Sequence, residues 1–257
     1  MKVVKVMNER QNKILTLLAK EKKMEVATLS QLLGVSQVTI RKDLDQLENR
    51  GLVVRNHGFA RLNDSDDINQ RLAMHYDIKQ KIAGAACQLI ENGETVMVES
   101  GSCCALLALE IAKTKKDVTI ITNSAFIGEY IRKSGDCKIV LLGGQYQREA
   151  QVMVGPMTRK CAELFFVDKL FIGIDGFMAE SGFTGNDFMR CEVVRDMAKQ
   201  ANTVIVVSDS SKFSQKGTVR LLTMSEVSYV FTDDEILPEH EQILIESGIQ
   251  VVKVKKD

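Results

Sequence analysis

Between Thr95 and Val254, short apolar runs rich in Val, Ile and Leu alternate with stretches of helical periodicity, and no other feature restricts the fold of this chain as strongly. Strands are expected over 95–99, 118–122, 138–142, 169–174, 203–208, 229–232 and 250–254. Helices are expected between them over 104–113, 125–133, 156–165, 188–200 and 238–247, preceded by one running from 76 or 77 to about 91. Near-continuous apolar strands separated by helices predict an α/β fold, an open sheet with helices on its faces. In the first of these helices Ile78, Ile82, Ala85, Ala86 and Leu89 are expected on the buried side.

Ligands of open α/β sheets bind in the crevice outside the carboxyl ends of the strands, where this chain places its polar and glycine residues. Glu99, Ser100, Gly101, Ser102, Cys103 and Cys104 follow one expected strand, and Thr122, Asn123 and Ser124 the next. Gly143 and Gly144 follow the third, Asp175 and Gly176 the fourth, and Asp209 to Phe213 the fifth. Ser100, Gly101 and Ser102 at a helix N-terminus offer backbone amides, hydroxyls and the positive end of the helix dipole, which suit a phosphate group. Lys212 adds a positive charge, while Asn123, Asp175 and Asp209 carry the donors and acceptors that sugar hydroxyls need. The candidate effector-binding set is therefore Glu99, Ser100, Gly101, Ser102, Cys103, Asn123, Gly143, Gly144, Asp175, Gly176, Asp209 and Lys212. A phosphorylated sugar or polyol fits it best.

The first 62 residues read differently. A helix is expected over 8–20 with Ile14, Leu15, Leu17 and Leu18 as its apolar stripe, and a second over 27–33. Gly34 supplies a tight turn, Ser36 caps a third helix running to Glu48, and Ile40, Leu44 and Leu47 recur on its inner face. Its outward residues, Val38, Thr39, Arg41, Lys42 and Asp45, suit entry into a major groove. After a helix stop at 49–51, residues 52–62 read as two short strands around a turn at His57 and Gly58. Together these make a winged helix-turn-helix. Ser36, Gln37, Val38, Thr39, Arg41, Lys42, Arg55, His57 and Arg61 are the candidate DNA contacts, with the wing set against phosphates or the minor groove.

The formal net charge is zero, but residues 1–62 hold twelve Lys plus Arg against six Asp plus Glu, leaving 22 basic and 28 acidic residues in the remainder. A basic head on an acidic body predicts attraction to DNA through one end. Residues 63–76 are expected to link this head to an effector domain over 77–257. The N-terminal apolar run is too short for a signal peptide and no stretch approaches a membrane span, so a cytoplasmic protein is expected. Six cysteines with no C-x-x-C pair and three histidines support neither a metal site nor a disulfide framework, and no cofactor is expected.

The run Thr39-Ile40-Arg41-Lys42-Asp43-Leu44 with Arg55-Asn56-His57-Gly58 resembles the head of the DeoR family of bacterial sugar-metabolism repressors. The motifs at 99–103, 122–124, 142–144, 173–176, 182–184 and 209–213 extend the resemblance over nearly the whole chain. The resemblance implies a repressor of a sugar or polyol operon, with an effector domain similar in fold to ribose-phosphate isomerases and DNA release on effector binding. A homo-oligomer of at least two chains on double-stranded operator DNA is expected. Glu99 stands where the family usually has Asp, Cys103 where it has a hydroxyl residue, and Phe59 where the wing usually has Gly. Two other readings use the same loops: a sugar-phosphate isomerase working through Glu99, Asp175, Asp209 and Lys212, and a thiol-based redox or metal sensor built on Cys103 and Cys104, with Cys103 the more reactive.

Overall fold

The computed structural model describes residues 9–21, 23–48, 53–56, 58–62 and 66–256. They fall into two compact units, Met1–Tyr76 and Asp77–Asp257.

In the first unit, α1 (Glu9–Glu21), β1 (Lys23–Glu25), α2 (Val26–Leu33), α3 (Gln37–Glu48), β2 (Val53–Asn56), β3 (Phe59–Leu62) and α4 (Ile68–Ala73) follow in order. Ile14, Leu15 and Leu18 of α1 meet Leu29 of α2 and Ile40, Leu44 and Leu47 of α3 in one apolar core, which Val53 and Ala60 of the wing close from the other side. Leu17, expected in the stripe, is only partly buried against that core. Gly34 ends α2 in the left-handed region, φ 64°, where a side chain would be strained, and Gly34 and Val35 donate back to Gln31 and Ser30 carbonyls. Strand β1 was not expected; it pairs antiparallel with β3, so the wing is a three-stranded sheet in the order β1-β3-β2. The expected helix stop at 49–51, His57 and residues 63–65 lie outside the described residues. Within the segment expected as a linker, Asp67 caps α4 by accepting from the Asn69 amide at 2.7 Å.

The second unit starts in α5 (Tyr76–Cys87) and continues through β4 (Thr95–Val98), α6 (Ser102–Thr114), β5 (Thr119–Thr122), α7 (Ala125–Ile131) and β6 (Lys138–Leu141). Next come the hairpin β7 (Gln145–Gln147) and β8 (Val152–Val154), then α8 (Pro156–Ala162), β9 (Val167–Ile172), β10 (Gly176–Met178), β11 (Gly182–Gly185) and α9 (Phe188–Ala198). The chain finishes with β12 (Ala201–Val207), β13 (Val219–Leu222), β14 (Tyr229–Asp233), α10 (Pro238–Glu246) and β15 (Gln250–Val254). Helix α5 ends earlier than expected because successive amides at Gln88, Leu89 and Ile90 donate three residues back, tightening the chain out of the α-helix. Its buried side also differs from expectation, since it includes Lys79 and Ala83 while Ala85 and Leu89 are half-exposed.

Seven strands form one parallel sheet in the order β15-β14-β12-β9-β4-β5-β6. Chain order runs outward in opposite directions from β4 and β9, so the topological switch point lies between those neighbours. A second antiparallel sheet, β10-β11-β13, packs Phe177 against Phe183 and Phe213 at ring separations of 5.6 and 5.8 Å.

Candidate functional site

Helix α3 presents the surface expected of a reading helix. Ser36 accepts from the Thr39 amide at 3.2 Å and lies 2.9 Å from its hydroxyl, which fixes the first turn. Gln37, Val38, Arg41 and Lys42 are exposed, Val38 at 65 %, while Thr39 is half-buried. Val38, an exposed apolar side chain, thus shares this surface with two cations.

Three polar ties hold this helix from behind. Buried Asp43 accepts two hydrogen bonds from the Arg10 guanidinium of α1, at 2.5 and 3.3 Å, and Gln11 donates to Gln46 at 2.7 Å. The third comes from the wing. Arg55, expected among the DNA contacts, is half-exposed and bonded within the head: Nη2 lies 2.6 Å from Asp45, Nε donates to Glu48 at 2.9 Å, and its backbone amide donates to the same Glu48 at 3.0 Å. Arg61 of β3 is exposed and stands opposite Lys23 of β1. Phe59, the residue unusual for the wing, carries the Lys23 ammonium 4.1 Å above its ring. Lys23 is thus a basic group of the wing sheet that sequence reasoning missed, because three residues of strand carry no periodicity to reveal the pairing.

In the second unit the switch point is sealed. Glu99, at the end of β4, accepts from the Ser100 hydroxyl and the Gly101 amide, each at 2.7 Å, and from the Gly173 amide beyond β9 at 3.2 Å. A Cβ on Gly101 would stand 3.2 Å from both Glu99 Oε2 and the Gly173 Cα, so the two loops touch backbone to backbone. This corrects the expectation of a free amide at Gly101, whose hydrogen bond the Glu99 carboxylate already accepts. The next amides of α6, at Ser102 and Cys103, belong to the first turn of a helix and have no acceptor within it.

In that turn, buried Cys103 accepts a hydrogen bond from the Asp209 backbone and feels the charges of Lys79, Asp209 and Lys212. Burial pushes its thiol up to about 12; the Lys79 charge opposes the shift, the Asp209 charge reinforces it, and the Asp209 backbone hydrogen bond opposes it. The thiolate needed for redox sensing is therefore disfavoured, contrary to the lowering that a helix N-terminus alone suggests. Lys79 and Asp209 face each other at 3.9 Å with side chains 6 % and 5 % exposed. Ser211 donates its hydroxyl to Asp209, and Asp233 accepts from the Ser210 amide at 2.7 Å, which holds the 209–212 turn and the half-buried Lys212 in place. Lys79 was missed from sequence although a signal existed: with Ile82, Ala83 and Ala86 it occupies the spacing of the buried stripe of α5.

The remaining candidates divide. Asn123 is buried, its amide donates to the Met153 carbonyl at 3.2 Å, and its Oδ1 has no partner among the described residues. Asp175 accepts from the Asn186 amide at 2.9 Å and remains half-exposed. Gly143 is half-exposed. Gly144 and Gly176 do not face open space: a Cβ on Gly144 would lie 2.0 Å from Thr158 Oγ1, and one on Gly176 would lie 2.6 Å from the Gln215 carbonyl. A side chain at either position would clash with these neighbours, so both positions require glycine.

Comparisons with known proteins cover both units. Residues 10–66 match the DeoR-like helix-turn-helix domain and residues 74–234 match the DeoR C terminal sensor domain. The chain is 29 % identical to the HTH-type transcriptional regulator GolR of Listeria innocua serovar 6a, over 89 % of this chain and 91 % of that protein. It is 26 % identical to the L-fucose operon activator of Escherichia coli K12, over 88 % of this chain and 94 % of that protein. Among solved structures, ribose 5-phosphate isomerase A of Methanocaldococcus jannaschii aligns with 54 % of this chain and 55 % of its own, at 20 % identity and a TM-score of 0.41. With one family model covering the reading head and another covering more than half of the chain, this protein belongs to the DeoR family of DNA-binding transcriptional regulators.

Proposed function

We propose that the protein represses a sugar or polyol utilisation operon and that a phosphorylated sugar or polyol in the sensor unit controls its hold on the operator. The observation that carries this reading is the buried Lys79–Asp209 pair beside the first turn of α6, with Lys212 at its rim. Helix amides and two lysines together offer an anionic oxygen both hydrogen-bond donors and opposite charge. The Asn123 Oδ1 acceptor and the Asp175 and Asp209 carboxylates supply sugar hydroxyls with partners. On the DNA side, Ser36, Gln37, Val38, Thr39, Arg41 and Lys42 form the groove-facing surface, with Lys23 and Arg61 on the wing sheet toward phosphates.

In this reading the chain acts in the cytoplasm as a homo-oligomer on repeated half-sites and turns over no substrate. Effector and operator are coupled by about 1–3 kcal/mol, roughly 5- to 150-fold in affinity. The test is a melting-temperature screen of hexose, pentose and polyol phosphates, each beside its unphosphorylated parent and inorganic phosphate. One phosphorylated compound is expected to raise the melting temperature and to release a duplex enriched from a random-sequence pool. Equal effects from the unphosphorylated parents, or conversion of a compound to its isomer at an enzymatic rate, would overturn the proposal. Tighter duplex binding with effector would leave the sensor reading intact and reverse the sign of control.

A further inference from the structure

We infer that Arg55 governs operator recognition from inside the protein, as the bolt that fixes the wing to the reading helix. Asp45 and Glu48 lie three residues apart on the last turns of α3, and one guanidinium from β2 spans both. The Arg55 amide donates to the second oxygen of Glu48, so that carboxylate is held by backbone and side chain of the same residue. Two-point contact of this kind sets an orientation as well as a distance, which a single Lys could not do. Wing phosphate contacts fix register and base contacts of α3 read sequence, so both must be met in one placement of the head. Specificity therefore depends on the angle between α3 and β2. With its charge offset by two carboxylates, Arg55 adds nothing to phosphate neutralisation. Loss of the bolt costs little fold stability, because ion pairs this exposed contribute at most about 1 kcal/mol and the apolar core of the head does not include them.

The inference rests on the reading of α3 as the operator-facing helix, and the test separates the two. Full-length wild type, Arg55→Glu, and Arg55→Glu combined with Glu48→Arg are titrated with the enriched duplex and a scrambled duplex over a range of salt. Arg55→Glu is expected to reduce the preference for the enriched duplex by about tenfold or more. Adding Glu48→Arg restores opposite charges across the same gap, and also sets Arg at position 48 three residues from Asp45. The double variant is expected to recover preference to within about threefold of wild type, with the slope of log affinity against log salt unchanged. Failure of the double variant to recover, or a slope shallower by about one in both variants, identifies Arg55 as a phosphate contact and overturns the inference. If Arg55→Glu does not fold while the double variant folds and selects the duplex, the bolt is equally supported. Arg41→Ala is run alongside; unchanged affinity in that variant removes α3 from the groove and the inference with it.

Discussion

Lys79 of α5 and Asp209 at the end of β12 oppose each other at 3.9 Å, both side chains within a few per cent of complete burial. Removing one partner strands the other charge in the interior. Lys79→Met is therefore expected to destabilise the sensor unit by about 3 kcal/mol, because the buried Asp209 carboxylate loses its facing ammonium and keeps its desolvation cost. Asp209→Asn added to Lys79→Met is expected to recover most of that loss. Denaturant titrations of the three proteins read this directly, and a Lys79→Met variant as stable as wild type would contradict it.

Effector and operator functions should separate by substitution. Arg41→Ala removes an exposed cation from the groove-facing surface and is expected to weaken duplex binding by about 1–3 kcal/mol, with a salt slope shallower by about one if Arg41 contacts a phosphate. Lys212→Ala leaves that surface alone and is expected to abolish the melting-temperature response to the effector while free-state duplex affinity is retained. An unchanged effector response in Lys212→Ala would take that lysine out of the site.

The cysteines offer a test of the redox reading. Cys87, Cys103, Cys104 and Cys191 are buried, whereas Cys137 and Cys161 are partly exposed. With burial holding Cys103 at about 12, its thiolate population at pH 8 is negligible in the native state. Brief alkylation followed by peptide mass spectrometry is expected to label Cys137 and Cys161 first and to spare Cys103 until the protein is unfolded. The sign for stability follows from the same shift: the unfolded thiol ionises near 9 and the folded one near 12, so this site contributes nothing below pH 9 and weakens the native state between those values. Rapid native labelling of Cys103 would reopen the sensor reading.

The central strands were legible because parallel strands buried on both faces are written as unbroken Val and Ile runs, as at 204–207. The reading helix was legible from its cap and inner stripe. The β10-β11-β13 sheet was not: Gly176–Met178 and Gly182–Gly185 are too short for alternation, and β11's second partner, Val219–Leu222, lies more than thirty residues away in sequence. For the sensor site, the loops were legible and the contents were not. Loop position shows that Glu99, Gly101 and Gly176 lie at strand ends, but only the pairing of β4 with β9 shows Glu99 filling the space between them. Lys79 was obscured by its type, since a lysine is assigned to solvent by default and only helix phase places it inside.

The Arg55 bolt makes the head sensitive to acid. Glu48 is held below the usual carboxylate range, first by the hydrogen bond from the Arg55 amide and then by the guanidinium, with partial burial opposing both. Its folded pKa thus lies below its unfolded one, and between the two the unfolded chain binds more protons. Stability from this contact is fully present above the unfolded value near 4.3 and is lost as pH falls through the folded value. Because the carboxylate is more than a third exposed, solvent screening keeps the effect small, within the range of surface pairs. Unfolding of the isolated transition of the head, followed from pH 7 down to pH 3, is expected to show wild type losing stability faster than Glu48→Gln below pH 5. At pH 7 the order is reversed, with wild type the more stable, since Gln accepts from the amide without attracting the guanidinium. Parallel pH profiles for the two proteins would show that Glu48 carries no linked proton, and would leave the Arg55 contact without its ionic part.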